Sequence, residues 1–229
     1  MKNIILFTAV LLYANSCFSQ QLINRKNRLT SSVTEKYHTV IETDKEVKQG
    51  EYQAFYNKTI LVANGRFDNN TKTGIWSFYN RRGEIIERFN YNTNTLLAEA
   101  AEDSTSSIRY TFDDHFKTTD YVTKPIKIGG RYYGYVPYLK LFKIPADMSN
   151  IRHEEFQAIL ELLISPGGRL ADYKIHLKSA TYERVININP DLLTDEAKQF
   201  MPATLNKQPI TARIFIYCYI TDFDDIDMD

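Results

Sequence analysis

Lys48-Gln49-Gly50-Glu51-Tyr52-Gln53-Ala54-Phe55-Tyr56-Asn57 and Lys72-Thr73-Gly74-Ile75-Trp76-Ser77-Phe78-Tyr79-Asn80 are two versions of one pattern, offset by 24 residues. The Lys-x-Gly-x-aromatic openings align directly, the Phe-Tyr-Asn endings align with a slip of one residue, and Phe67 falls over Tyr91 at the original offset. Self-similarity at such a period marks supersecondary units that bury a core only by stacking together. Turn residues recur about every ten positions, and aromatics alternate with polar residues, which predicts an antiparallel meander of short strands rather than helices. Each unit reads as two strands, joined at Asn57-Lys58 in the first and at Arg81-Arg82-Gly83 in the second. The aromatics of the repeat are expected to pack across strands inside the sheet.

Gly50-x-Tyr52-x-x-Phe55-Tyr56 and Lys72-x-Gly74-x-Trp76-x-Phe78-Tyr79-x-x-x-Gly83 resemble MORN-type repeats, over roughly residues 36–92. The resemblance implies a flat or gently twisted chain of β-hairpins and no particular chemistry.

Around this repeat the composition is that of an ordinary globular chain. Its 229 residues carry 28 Lys plus Arg against 28 Asp plus Glu, so no net field steers it to nucleic acid or to an anionic membrane. The first half of the chain beyond the leader contains Gly50, Gly65, Gly74 and Gly83 and no proline, whereas every proline lies from Pro125 onward. That change in turn chemistry predicts two units, 20–97 and 125–221. A Ser/Thr/Asp/Glu-rich boundary at 98–124 separates them, with one alternating strand at 108–112, and an acidic tail at 222–229 is expected to be solvated. At the N-terminus, Lys2 precedes the apolar run 4–12 and the small or polar residues 14–20. This reads as a secretory signal peptide over 1–19, since the run is too short to span a bilayer. The chain is thus expected in the periplasm or cell envelope. The rival reading takes Ala14-Asn15-Ser16-Cys17 as a lipobox-like sequence, which gives an outer-membrane lipoprotein or structural spacer acylated at Cys17 and held to the membrane only by that acyl group. With Cys17 removed, Cys218 stands alone and no intramolecular disulfide is expected.

In the second unit, strands at 157–165 and 169–177 flank the hairpin turn Pro166-Gly167-Gly168. Asn189-Pro190-Asp191 has the form of a helix start, and Leu193, Ala197, Phe200 and Met201 follow at helical spacing before Pro202. The last strand, 210–220, alternates most cleanly. Ile210, Ala212, Ile214, Ile216, Cys218 and Ile220 form one side, and Arg213, Phe215, Tyr217 and Tyr219 stand on the other. The fold class expected for the whole is therefore α+β, a β-hairpin meander followed by a two-layer domain whose helix covers the aliphatic side of the sheet.

Gly129-Gly130, the run 141–146, the hairpin 167–175, and Met201-Pro202-Ala203 with 206–210 make this unit resemble the TonB C-terminal domain over roughly residues 129–220. It departs from that family in lacking a proline-rich spacer and in having Phe200-Met201 where Trp is common. The resemblance implies docking onto an envelope or outer-membrane protein by pairing of a sheet edge. Arg213, Phe215, Tyr217 and Tyr219 are the expected partner contacts, the alternative being that this face packs within the protein or forms the seam of a homodimer.

No catalytic apparatus is legible, and the chain is expected to be no enzyme. His153-Glu154-Glu155-Phe156-Gln157 lacks the second His of a zinc-protease helix, and neither a nucleophile elbow nor a phosphate loop is present. No metal or cofactor is expected. The one constellation compatible with hydrolysis would need Asp113, His115 and His153 to meet between the two units.

Overall fold

The computed structural model describes residues 21–148 and 152–228, so the stretch read as a signal peptide and the rival reading of acylation at Cys17 lie outside the described residues. Seven strands follow one another through the first unit: β1 (Ile23–Arg28), β2 (Val33–Glu42), β3 (Lys45–Tyr56), β4 (Ile60–Asp68), β5 (Thr71–Tyr79), β6 (Ile85–Asn90) and β7 (Thr95–Glu99). They form one antiparallel sheet in sequence order. The turns explain why the chain reverses where it does. Thr43-Asp44, Asn57-Lys58 and Asn69-Asn70 all have positive φ, the two-residue reversal whose twist matches the flanking strands. The repeated aromatics share the inner face. Tyr52 lies 5.2 Å from Trp76, Phe67 lies 5.3 Å from Trp76, and Trp76 lies 5.7 Å from Tyr91, ring centre to ring centre. Gly65 is obligatory beneath this stack, because a Cβ there would stand 2.2 Å from the Trp76 indole.

The second unit is not the expected two-layer α+β domain. Among the described residues strand accounts for 54% and helix, 3-10 turns included, for 8%, so the fold is β-rich with open sheets. After β8 (Ile108–Phe112), β9 (Val122–Thr123) and β10 (Ile126–Lys127) comes the short helix α1 (Val136–Leu139), and then, apart from three-residue 3-10 turns, strands: β11 (Gln157–Ile164), β12 (Leu170–Lys178), β13 (Glu183–Asn187), β14 (Phe200–Met201), β15 (Ala203–Leu205), β16 (Gln208–Ile210), β17 (Ala212–Ile220) and β18 (Ile226–Met228). Five of them run β13-β12-β11-β17-β18, with β8 also paired to β17.

The helix expected over 189–201 is absent. Asn189 does cap a turn, its side chain accepting from Asp191 N–H, but that turn is a 3-10 helix of three residues, Pro190–Leu192. One further turn follows, in which Lys198 N–H donates to Thr194 O. Then the backbone is claimed by sheet partners: Phe200 N–H donates to Gly168 O, Leu170 N–H to Lys198 O, and β14 pairs with β10. A helix of about a dozen residues is marginal alone, and here the ladder bonds replace it. Leu193, Ala197 and Phe200 are buried nonetheless, which is why their spacing reads as a helical stripe.

The aliphatic side of β17 is covered instead by residues 128–142, a wedge between the two large sheets. Tyr133 stacks 5.9 Å from Phe78 and Tyr132 meets Tyr56 edge-on, while Tyr138 packs on Tyr173 at 5.5 Å. One buried apolar cluster therefore runs from Val33 in the meander to Met228 in β18. Two glycines let the wedge in. A Cβ on Gly130 would lie 2.9 Å from Phe78, and one on Gly129 would lie 2.8 Å from the Gly134 backbone. The acidic segment is solvated only in part: Asp222 and Asp224 are exposed, but the residues after them are tied down. Asp225 accepts from Ser31 N–H and Oγ–H, and buried Asp227 accepts from the Tyr132 hydroxyl at 3.1 Å.

Candidate functional site

Arg213, Phe215, Tyr217 and Tyr219 all lie on β17 and alternate outward, with Tyr217 38% and Tyr219 41% exposed. The structure does not give that strand a free edge. β11 pairs along one side of it, and the other is shared between β8, opposite residues 212–216, and β18, opposite 218–220. Strand addition at 210–220 is thereby corrected, since no row of unpaired backbone groups remains there to receive a partner. The outward side chains are also engaged. Arg213 pairs with Asp113 at 3.0 Å and with Glu161 at 3.3 Å, and the Tyr219 hydroxyl accepts from Arg81 at 3.2 Å. Burial, with the Asp227 carboxylate nearby, pushes the Tyr219 phenol upward. Ile210 belongs to β16, a separate small hairpin with β15 turned at Asn206-Lys207.

The edges that do remain differ in chemistry. Along β1 the backbone groups facing away from β2 belong to Asn24, Lys26 and Arg28, because Leu29 N–H donates to Val33 O and fixes the alternation. Lys26 and Arg28 guard that edge against pairing. β7 slips register where it joins β6, and the extra Leu97 breaks the row. On β8, Lys124 lies over Tyr110 and Phe116 packs on Phe112.

β13 is regular and open. Ser179 N–H donates to Tyr182 O and Ile188 N–H to Tyr173 O, so the ladder bonds to β12 come from residues 182, 184, 186 and 188. The N–H and C=O groups of Glu183, Val185 and Asn187 therefore point away from the sheet, and among the described residues none of them has a partner. Its two charges are neutralised from within: Glu183 pairs with Lys178, which holds its carboxyl below the ordinary value, and Arg184 pairs with Asp147. Val185 stands 45% exposed between them. This strand goes unread in the sequence although Val185-Ile186-Asn187-Ile188 carries a β-branched signal. The signal is short and is overshadowed by the Asn189-Pro190 punctuation behind it.

Among the described residues no hydrogen bond or ion pair joins Asp113, His115 and His153. Asp113 is committed to Arg213, and His153 binds Asp224 at 2.9 Å. Cys218 is buried, and burial pushes its thiol up, away from the reactive thiolate. Among the described residues no group of three or more His, Cys, Asp or Glu could hold a metal ion, and no helix is long and apolar enough to cross a membrane. Comparison with family models, curated proteins and solved structures finds no match to this chain.

Proposed function

We propose that this chain is a non-catalytic docking protein of the cell envelope, which takes up an extended segment of a partner envelope protein by strand addition at β13. The observation that carries the reading is the open edge itself, five residues in unbroken register with outward backbone groups at Glu183, Val185 and Asn187. Main-chain bonds supply affinity in this mode, and the alternate side chains of the added strand supply specificity. Support for the envelope comes from the signal-peptide pattern at 1–19 and from the residues that resemble a TonB C-terminal domain. The same edge could be satisfied by a second copy, edge to edge about a two-fold axis, which light scattering of the purified protein distinguishes from a foreign partner.

Val185→Pro tests this, because the N–H it removes points outward and no ladder bond to β12 is lost. With a photo-crosslinker at position 183 in intact cells, adducts are expected in the parent protein and not in the Val185→Pro form, both giving the same circular dichroism spectrum. Adducts that persist in the proline variant, or that form as readily from position 217, would overturn the β13 assignment.

A further inference from the structure

Of the strands that end a large sheet, β1, β7 and β18 are closed to pairing by their own residues. Lys26 and Arg28 guard β1, a register slip breaks β7, and β18 is buried and only 3 residues long. β13 carries none of these devices. It has no proline, its register against β12 is unbroken from Glu183 to Asn187, and its two charges are paired within the molecule, to Lys178 and Asp147. Its outward backbone groups belong to residues 183, 185 and 187, spaced evenly about Val185. An unguarded edge of this kind pairs with whatever extended backbone meets it, and a second copy of the chain offers the same edge.

An antiparallel pair about a two-fold axis sets one residue opposite its own counterpart, and the side chains decide which. Centred on Glu183 or on Arg184, the pair brings two like charges face to face, which is destabilising. Centred on Ile186 or Asn187, it runs into Asn189, the cap of the following turn, and loses facing pairs. Centred on Val185, it sets valine against valine and Glu183 beside Asn187 of the second copy on the outer face, with Arg184 beside Ile186 of the second copy on the inner one. No like charges stand opposite, and every outward group is used, each facing pair exchanging two main-chain bonds. We infer that, without another partner, the chain pairs β13 with β13 of a second copy in this register, which fuses the two second sheets into one and covers the edge until a partner segment displaces it. With a strand of 5 residues the seam is small, so the dimer is weak and reversible, as a displaceable cover must be. The displacement rests on the docking reading above, whereas the dimer itself needs only the open edge.

The test is sedimentation equilibrium of the purified chain from micromolar to near-millimolar concentration. A reversible equilibrium of monomer and dimer is expected, and Val185→Pro, which removes the central outward N–H, should leave the chain monomeric. Asn187→Lys should tighten the dimer roughly three- to tenfold, because the symmetry sets two opposite-charge pairs against Glu183, and Asn187→Glu should weaken it to a similar degree. Inside one molecule Asn187 lies opposite Lys174, so folding favours Glu over Lys at this position and altered folding cannot produce the expected order. A chain that stays monomeric throughout, a dimer that survives Val185→Pro, or equal affinities of the two variants at 187 would each overturn the homodimer. A monomer in the centrifuge that still gives adducts from position 183 to a different protein in cells overturns the dimer and leaves docking standing, and a β13 dimer without such adducts does the reverse.

Discussion

Gly65 shows how much of this fold rests on single residues without special backbone angles. The space a side chain would need there is filled by the Trp76 ring, which is itself wholly buried. Gly65→Ala forces the indole or the strand to move, an overpacking cost of about 1–3 kcal/mol. It should be visible as a lower urea midpoint and as a change in the emission of Trp76, the single tryptophan of the chain. Glu87 works differently. Its carboxylate accepts from Gly129 N–H at 2.8 Å and Gly130 N–H at 3.1 Å and so anchors the wedge, yet burial outweighs those bonds and raises its carboxyl from 4.5 to about 7. Between pH 4.5 and about 7 the unfolded chain releases this proton while the folded one keeps it, so stability falls as pH rises through that window and is level above it. Glu87→Gln should remove this slope, on the order of a few kcal/mol. Urea midpoints of both proteins at pH 4.5 and 7.5 provide the check, and equal pH dependence in the two would show that Glu87 does not carry it.

At the scale of elements, the meander was legible because its signals are local and redundant. The 24-residue repeat, the Asn-rich reversals and the alternation of Tyr52, Trp76 and Phe78 each point to the same strands. The hairpin of β11 and β12 and the strand β8 were legible for the same reason. The helix at 189–201 was misread because burial every third or fourth residue is ambiguous. Leu193, Ala197 and Phe200 reach the core from two turns and a strand, and the competitors for their backbone, Gly168 and β10, lie far away in sequence. The candidate contacts on β17 were read as the face opposite its aliphatic side, turned outward or toward the first unit, and they stand on that face. Their strand was taken for an edge because alternation reports faces and carries no information on lateral neighbours. The open edge of β13 and the buried Glu87 become visible only when distant segments are brought together.

For the whole molecule, the decisive layer is the aromatic wedge at 128–142, which gives two otherwise open sheets a common interior. The acidic end of the chain locks this arrangement from outside. Ser31 in the turn between β1 and β2 donates its hydroxyl to Asp225 at 2.8 Å, across a separation of 194 residues. Ser31→Ala leaves the backbone N–H bond in place and should cost about 1 kcal/mol. That loss should appear as roughly fivefold faster unfolding with little change in refolding rate, measured by stopped-flow fluorescence of Trp76. A slowed refolding limb with unfolding unchanged would contradict it. The reason lies in the order of events such a contact permits. The meander closes through neighbouring hairpins and can form early, whereas a bond spanning nearly the whole described chain must wait until every intervening loop entropy has been lost. Fastening β18 beside Ser31 is therefore expected late in folding, and a chain stalled before it would present a finished first sheet beside an unsealed interior, the species that a protease or a chaperone would meet first.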